Sequence, residues 1–296
     1  MSILEAQLFN TNFKAKDLVD HLDISLNSTV KLNNGVEMPI FGLGTWDLKL
    51  KRGYQAILWA LEAGYRLLDT AEVYGNEKEV GLAIKDSGVP REEVFITTKV
   101  YNTSQGFDST LKAFEESLRK LDISYIDLYL IHAPVTDLRF DTWKALEKLL
   151  GEGKTNAIGV SNYSIRHLTE SLEQFSIIPA VNQAEFSPFL YQKDLLDFCK
   201  SHNIVLEGYS PLTKGGKLNS QTLIDIGKKY VKSPAQILIR WGLQHDVVQI
   251  PRSSNKDHIY ENANVFDFQI GDDEMQTLDS LNEDFRAYGL DPNSYK

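Results

Sequence analysis

The chain has 296 residues, of which 42% are hydrophobic and 24% are charged, and its formal net charge is −10. Nucleic acids and anionic membrane surfaces attract basic proteins, so this acidic balance argues against both as partners. A single cysteine, Cys199, excludes an internal disulfide and a cysteine-rich zinc site. With no apolar run near the roughly 18 residues that span a bilayer, and no leader pattern, we expect a cytoplasmic protein.

Two features are predicted at the start of the chain. Residues 1–28 form an N-terminal extension, in which FKAKDLVDHLDI (13–24) has the spacing of a short amphipathic helix. From residue 29 onward, apolar and polar residues alternate on both sides of Asn34-Gly35, which predicts a β-hairpin. We therefore divide the chain into the extension and one domain at 29–296. The extension is either a loosely docked arm or a segment that binds a partner.

Eight short apolar runs recur after the hairpin, and segments with helical spacing separate them. A strand followed by a helix, repeated along a chain, is typical of parallel strands with the helices outside. Eight such units without a Gly-x-Gly-x-x-Gly turn favour a closed α/β fold, the (β/α)8 TIM barrel, over an open doubly wound sheet. An additional C-terminal helix is predicted at 272–281, with an irregular tail from Asn282. The runs are Ile40–Leu43, Tyr65–Leu68, Val94–Thr98, Ile126–Ile131, Ala157–Val160, Ala180–Val181, Ile204–Leu206 and Val247–Ile250.

Polar side chains close these runs, at the strand ends where the active sites of such barrels lie. Asp69 closes the second run, and Tyr74 lies in the loop beyond it. Lys99 closes the third run and His132 closes the fourth. Each has an ordinary alternative: a helix cap, a packed ring, a solvated lysine or a buried core histidine. Because all four follow adjacent strands, we expect them to meet at one mouth of the barrel. The later runs close on Ser161-Asn162, Asn182-Gln183, Tyr209-Ser210 and Arg252-Ser253.

The four side chains together can protonate an oxygen. An ammonium beside a phenol favours the phenolate, so Lys99 is expected to lower the pKa of Tyr74 from its ordinary value of about 10. Asp69 would keep Lys99 charged and oriented. Tyr74 would then give a proton to a developing alkoxide, while His132 polarises the carbonyl oxygen. The other histidines are scattered, so no metal site is predicted, and a redox reaction would need a cofactor as hydride source.

These motifs, in this order, resemble the aldo-keto reductase superfamily. GLGTW resembles the first-strand motif of the family, and GYRLLDTAEVYGNEKEVG resembles its signature around the catalytic Asp and Tyr. FITTKV and YIDLYLIH resemble the strands that carry the catalytic Lys and His. AIGVSN, PAVNQAEFSP, GYSPL and IPRSSNKDHIYENANVFDF follow in the family's order. The resemblance covers roughly residues 29 to 290.

The resemblance implies a (β/α)8 barrel closed at its bottom by a hairpin, which reduces aldehydes and ketones with a nicotinamide dinucleotide and without a metal. NADPH is the expected cofactor, and NADH is a less favoured alternative. The implied catalytic residues are Asp69, Tyr74, Lys99 and His132, and the implied substrate-binding residues are Trp46, Tyr74 and His132. The implied cofactor-binding residues are Thr45, Asp69, Ser161, Asn162, Gln183, Tyr209, Ser210, Pro211, Leu212, Arg252, Ser253, Ser254, His258, Glu261 and Asn262.

The resemblance also divides the cofactor residues by role. Tyr209 is implied to stack on the nicotinamide, and the forked donors of Arg252 suit the 2′-phosphate. His258 stands where the family often has an arginine, and Ala133 stands where many members have a tryptophan. The smaller Ala133 predicts a roomier pocket wall. The residues implied at the carboxamide are Ser161, Asn162 and Gln183; those at the pyrophosphate are Ser210, Pro211 and Leu212; those around the 2′-phosphate and adenosine are Arg252, Ser253 and Ser254; and those near the adenine are Glu261 and Asn262.

Three alternatives stay open at this point. A strand-end lysine such as Lys99 can form a Schiff base, which would make the protein a barrel lyase. The barrel can also be a catalytically weak, dinucleotide-binding regulatory module. The glycine-rich segment TKGGK (213–217) is either a flexible turn or a lid over the pyrophosphate. We expect a monomer or a weak oligomer that acts on a small-molecule carbonyl substrate.

Overall fold

The structure is a computed structural model and describes residues 24–296. It begins with the predicted hairpin, in which β1 (Thr29–Lys31) pairs with β2 (Glu37–Pro39) in antiparallel register. Gly35 lies in the connecting turn with φ of +89°, a backbone conformation that favours glycine. The hairpin prediction is therefore confirmed. All but the last residue of the predicted helix at 13–24, and most of the extension at 1–28, lie outside the described residues.

Eight parallel strands form one sheet whose order around the barrel is the order of the chain. The Gly42 amide donates to the Gln249 carbonyl over 2.9 Å, and the Gln249 amide donates to the Ile40 carbonyl over 3.0 Å. These bonds join the first strand to the last and close the barrel, so the predicted (β/α)8 fold is confirmed. The strands are β3 (Leu43–Gly44), β4 (Leu67–Asp69), β5 (Phe95–Val100), β6 (Ile126–Ile131), β7 (Thr155–Ser161), β8 (Val181–Glu185), β9 (Val205–Tyr209) and β10 (Val248–Ile250).

Helices follow the strands along the chain, and α10 (Asp272–Asp279) is the predicted additional C-terminal helix. Two helices instead of one separate β9 from β10, and the first of them, α7 (Gln221–Tyr230), has no counterpart among the predicted elements. Over residues 24–296, no helix combines the length and apolar character that crossing a bilayer requires. The helices are α1 (Leu50–Glu62), α2 (Glu77–Ser87), α3 (Phe107–Leu121), α4 (Arg139–Gly151), α5 (Ile165–Gln174), α6 (Lys193–Ser201), α7 (Gln221–Tyr230), α8 (Pro234–Gln244), α9 (Lys256–Ala263) and α10 (Asp272–Asp279).

Side chains alternate along each strand between the helices outside and the barrel interior. The interior holds an apolar cluster to which Leu67, Val181 and Ile250 belong, and the hairpin adds Leu32 and Met38 at its base. Two residues further along each of these strands, the next inward position is polar and lies nearer the carboxyl end of the strand. This spacing connects Leu67 to Asp69, Leu130 to His132, Val181 to Gln183 and Ile250 to Arg252. The period of two therefore gathers the polar residues at the carboxyl ends of the strands.

Candidate active site

Lys99 lies at the centre of a largely buried hydrogen-bond cluster. Its ammonium nitrogen donates to Asp69 Oδ1 over 2.7 Å and to the Thr70 carbonyl over 2.8 Å. It also lies 3.4 Å from the Tyr74 hydroxyl. Lys99 has no exposed surface, and Asp69 is 2% exposed. The structure thus brings together the carboxylate, the ammonium and the phenol that the strand ends predicted.

The loop that carries Tyr74 is held by a buried asparagine. Tyr74 ends a short turn of 3₁₀-helix, and Gly75 follows it with φ of +66°. The Asn76 amide nitrogen donates to the Thr45 and Leu48 carbonyls, each over 2.8 Å, and its oxygen accepts from the Thr70 hydroxyl over 2.7 Å. Because these bonds tie the loop to the neighbouring first-strand loop, the phenol is held above Lys99.

The direction of the pKa shift of Tyr74 differs from the expectation. Burial raises the pKa of the Tyr74 phenol well above its usual value, and the negative charge of Asp69 adds to the rise. The expected net lowering of this pKa is therefore wrong. Asp69 compensates the ammonium at 2.7 Å, whereas the phenol lies 3.4 Å away and burial disfavours its ionised form. Tyr74 is protonated at neutral pH, which is the form that a general acid requires.

His132 faces Tyr74 as a neutral ring. The two ring centroids lie 5.8 Å apart at an interplanar angle of 80°. Burial, and then the positive charge of Lys99, lower the pKa of His132 to about 3. The imidazole is therefore uncharged at neutral pH. It can offer a hydrogen bond to a carbonyl oxygen but cannot supply a proton as an imidazolium.

A cavity of about 420 Å³ lies above this cluster, at the carboxyl ends of the strands. Ala133 contributes to its wall, and the expectation that this small side chain makes the pocket roomier stays a prediction. The predicted residues that line the cavity are Trp46, Asp69, Tyr74, His132, Ser161, Asn162, Gln183, Tyr209, Ser210 and Arg252.

The other predicted residues lie around the cavity without lining it. Thr45 is buried beneath it and donates to the Asp69 carbonyl over 2.9 Å, and Lys99 lies below Tyr74. Pro211 and Leu212 follow Ser210 in the loop after β9. The residues beyond Arg252 continue away from the cavity along the next loop and α9, where the Ser253 hydroxyl bonds the Asn255 backbone. These more distant residues are Ser253, Ser254, His258, Glu261 and Asn262.

Arg252 at the rim has a partner that was not predicted. Its guanidinium forms an ion pair with Asp47 over 3.1 Å and donates to the Trp46 carbonyl over 3.2 Å. Lys214, from the glycine-rich segment 213–217, lies 5.4 Å from the centroid of the Trp46 ring and 4.5 Å from that of Tyr288. This segment therefore reaches the mouth of the cavity, and its function as a lid stays a prediction.

The C-terminal tail, which the sequence predicts to shape the pocket, supplies cavity residues that were not predicted individually. Tyr288 meets the Trp46 ring edge to face, with centroids 5.2 Å apart. The Tyr295 hydroxyl accepts a hydrogen bond from the Asn102 amide over 3.3 Å, so the tail crosses the mouth to the loop after β5. The tail has no periodic pattern, and no local signal identified these contacts. The missed lining residues are Gly44, Val73, Tyr101, Asn102, Ile250, Tyr288, Leu290 and Tyr295.

Glu207 is a further missed residue, buried inside the barrel on β9. It has no exposed surface, and it accepts a hydrogen bond from the Gln183 amide over 2.8 Å. Burial, and then the negative charge of Asp69, raise the pKa of Glu207 to about 8. A signal was present in the sequence, because Glu207 lies two residues before Tyr209 in a strand and so points inward with it.

We expect Glu207→Gln to stabilise the protein at alkaline pH. The folded pKa of about 8 lies above the ordinary carboxyl value, so unfolding releases a proton between about pH 4.5 and pH 8. The wild-type protein should therefore lose stability through that window relative to the variant, by roughly 5 kcal/mol in all at about 1.36 kcal/mol per pKa unit. Urea denaturation at pH 5, 7 and 9 measures this gap. Glu92→Gln, at an exposed position, is the control, and a gap that is constant with pH would contradict the prediction.

The matches to known proteins extend over the whole barrel. The model of the aldo/keto reductase family matches residues 41–283. The chain is a member of the aldo-keto reductase family. This family match includes every predicted site residue from Thr45 to Asn262 and ends before Tyr288, Leu290 and Tyr295. The tail over the mouth is thus the part of the site that lies outside the family match.

Individual relatives cover nearly the same length. Glyoxal reductase of Bacillus subtilis (strain 168) is 52% identical over 266 residues, which are 89% of this chain and 96% of the relative. The crystal structure of an aldo-keto reductase from a Medee basin deep-sea metagenome library is 46% identical, with a TM-score of 0.85 over 87% of this chain and 96% of the other. A Bombyx mori aldo-keto reductase in complex with NADP is 35% identical, with a TM-score of 0.83 over 89% and 95%.

Proposed function

We propose that this aldo-keto reductase reduces an aldehyde or ketone to the alcohol with NADPH, and that Tyr74 is the general acid. When bound, the reduced nicotinamide supplies the hydride that adds to the carbonyl carbon. The Tyr74 hydroxyl supplies the proton that the resulting alkoxide oxygen takes up. The observation that carries this proposal is the position of the Tyr74 hydroxyl, 3.4 Å from the ammonium of Lys99 and on the wall of the cavity.

Lys99 and Asp69 would act on the phenol rather than on the substrate. Once Tyr74 has given up its proton, the tyrosinate is stabilised by the ammonium that already lies within reach. Asp69 keeps that ammonium in place through its 2.7 Å bond. The neutral ring of His132 would offer a hydrogen bond to the carbonyl oxygen and so orient it toward Tyr74. The acid and the orienting group thus have separate roles.

The residues at the ends of β7 and β8 fit a nicotinamide carboxamide. The Asn162 amide is committed to the protein, because its nitrogen donates to the His132 carbonyl and to Ser161 Oγ, and its oxygen accepts from the Tyr209 hydroxyl. The Ser161 hydroxyl accepts one bond and keeps its own proton available. The Gln183 carbonyl oxygen has no partner among residues 24–296. One free donor beside one free acceptor matches the C=O and N–H of a carboxamide.

The substrate is proposed to be a small, uncharged carbonyl compound. Aromatic rings dominate the mouth. Of the two cations there, Arg252 is paired with Asp47, and Lys214 lies against the rings of Trp46 and Tyr288. The name of the Bacillus subtilis relative, glyoxal reductase, points to the same class. The test is NADPH oxidation across aldehydes, keto-sugars, quinones and keto-esters, repeated with NADH. Failure of every compound to accelerate NADPH oxidation would defeat the proposal.

The lyase alternative is disfavoured by the surroundings of Lys99. A Schiff base needs a neutral amine with access to the substrate. Lys99 instead has no exposed surface and directs its ammonium at Asp69, Thr70 and Tyr74. Borohydride trapping of a carbonyl substrate on Lys99 would reverse this judgement.

Arg252→Ala should weaken the binding of NADPH about tenfold or more and change the affinity for NADH by less than about twofold. A hydrogen bond to a charged group contributes about 1.5–3 kcal/mol, and only NADPH carries the 2′-phosphate that Arg252 is proposed to hold. Fluorescence titration of both cofactors measures the two dissociation constants. Arg119→Ala, on the outer surface of α3, is the control. Equal losses for NADPH and NADH would show that Arg252 does not read the 2′-phosphate.

A further inference from the structure

Gln183 lies between two buried carboxyl groups at the floor of the cavity. Its amide nitrogen donates to Asp69 Oδ2 over 2.7 Å and to Glu207 Oε2 over 2.8 Å. Gln183 and Glu207 are register partners on the neighbouring strands β8 and β9, while Asp69 reaches in from β4. Both N–H groups of the amide are therefore used within the barrel, and only its carbonyl oxygen is left for the cavity.

We propose that Glu207 is a positioning residue, which together with Asp69 takes both N–H groups of Gln183 and so turns its carbonyl oxygen toward the cofactor. This inference rests on the proposed function. In the proposed carboxamide site, Glu207 thereby keeps Gln183 as the hydrogen-bond acceptor for the carboxamide N–H. Ser161 is the donor to the carboxamide oxygen. A ligand without that N–H loses the bond to Gln183 and keeps the bond to Ser161.

The orientation follows from what each carboxyl group requires. The oxygen of a reversed amide would face Asp69, whose charge is held by Lys99, and two oxygens at hydrogen-bond distance repel each other. With Glu207 removed, one N–H of Gln183 would be buried without an acceptor, and the amide would rotate to find one. Asp69 by itself constrains one N–H, whereas Asp69 and Glu207 together constrain both. Glu207 is therefore what completes the alignment of the amide.

Glu207 can do this as a neutral acid. Its raised pKa leaves it protonated at neutral pH, and Oε1, which has no partner among the described residues, is the oxygen available for the proton. Oε2 then still accepts from Gln183. Glutamine at this position conserves both the shape and an acceptor oxygen, while leucine conserves only the approximate size. Neither substitution can ionise, so comparing the two variants isolates the effect of the acceptor oxygen.

The experiment compares two ligands on the same protein. NADP⁺ carries the carboxamide, and its 3-acetylpyridine analogue carries an acetyl group with the same oxygen and no N–H. We expect the wild-type protein to bind NADP⁺ about tenfold more tightly than the analogue, which is the loss of one hydrogen bond. Glu207→Gln should keep this ratio. Glu207→Leu should reduce it to about threefold or less by weakening NADP⁺, with the affinity for the analogue within about twofold of wild type.

Two variants serve as controls for this comparison. Ser161→Ala should weaken the binding of both ligands by a similar factor and so leave the ratio of their dissociation constants unchanged. Glu207→Met repeats the removal of the acceptor with a flexible side chain, in case the leucine variant does not fold. Circular dichroism before each titration establishes that the variant is folded.

The outcomes distinguish this inference from the proposed function. An unchanged ligand ratio in Glu207→Leu and Glu207→Met, or an equal loss for both ligands, would overturn the positioning role while leaving the reductase proposal intact. Wild-type protein that binds neither ligand would defeat the proposed function, and the inference with it. A ratio that collapses in the leucine variant and persists in the glutamine variant supports the assignment of Glu207.

Discussion

Replacing Tyr74 with phenylalanine is expected to reduce kcat by about three orders of magnitude while leaving the dissociation constant of NADPH within about twofold. A positioned general acid contributes roughly 10²–10⁴ in rate, and the variant removes only the hydroxyl that would give up the proton. The ring itself remains, so its packing against His132 and its contact with Lys99 persist. Steady-state kinetics on the best carbonyl substrate and fluorescence titration with NADPH measure the two quantities.

Tyr125→Phe is the matched control for this experiment. Tyr125 immediately precedes β6, at the end of the barrel opposite the cavity, and its ring lies against Arg91. Loss of that hydroxyl should leave kcat unchanged. A Tyr74→Phe protein that retains more than about a tenth of the wild-type kcat would show that another group supplies the proton, and the role given to Tyr74 would be wrong.

Lys99→Met is expected to abolish measurable turnover and to lower the free energy of unfolding by about 3–5 kcal/mol. Removing one partner of a buried ion pair leaves the other charge buried without compensation, which strongly destabilises the folded protein. Here Asp69 would remain without its 2.7 Å partner, and the Thr70 carbonyl would lose its donor. Methionine conserves the length of the side chain, so the loss of charge is the main change. Urea denaturation measures the stability.

A double variant separates the two effects of this substitution. Adding Asp69→Asn to Lys99→Met removes the uncompensated charge, so it should recover more than half of the lost stability. It should not recover turnover, because no ammonium remains beside Tyr74. If the single variant is as stable as wild type, or if the double variant is no more stable than the single one, Asp69 and Lys99 do not form the buried pair described above.

The positions of the strand-end residues were predictable because they depend on local patterns. Short apolar runs alternating with helical segments identify the barrel, and the residue that closes each run lies at the mouth by the period of two. This reasoning was sufficient for Asp69, Lys99, His132 and Gln183. The hairpin was predictable for the same reason, since Asn34-Gly35 is a turn signal within a few residues of both strands.

Charge states could not be predicted in this way. Lys99 was expected to lower the pKa of Tyr74, yet burial raises it, because the distances that decide the balance join residues on different strands. Glu207 could be recognised as inward-facing from its position in β9. Its raised pKa, however, results from burial close to Asp69, which lies 138 positions earlier in the chain. Such effects require the three-dimensional arrangement.

The amino-acid sequence by itself determined the barrel, the hairpin below it and the set of polar residues at its mouth, because periodicity and turn chemistry act over a few neighbouring residues. The tertiary structure alone decided the closing of the mouth by Tyr288 and Tyr295, the pairing of Arg252 with Asp47 and the capture of Gln183 by two carboxyl groups. Each of these contacts joins segments far apart in the chain. At Gln183, burial between the two carboxyl groups also sets the direction of the hydrogen bonds.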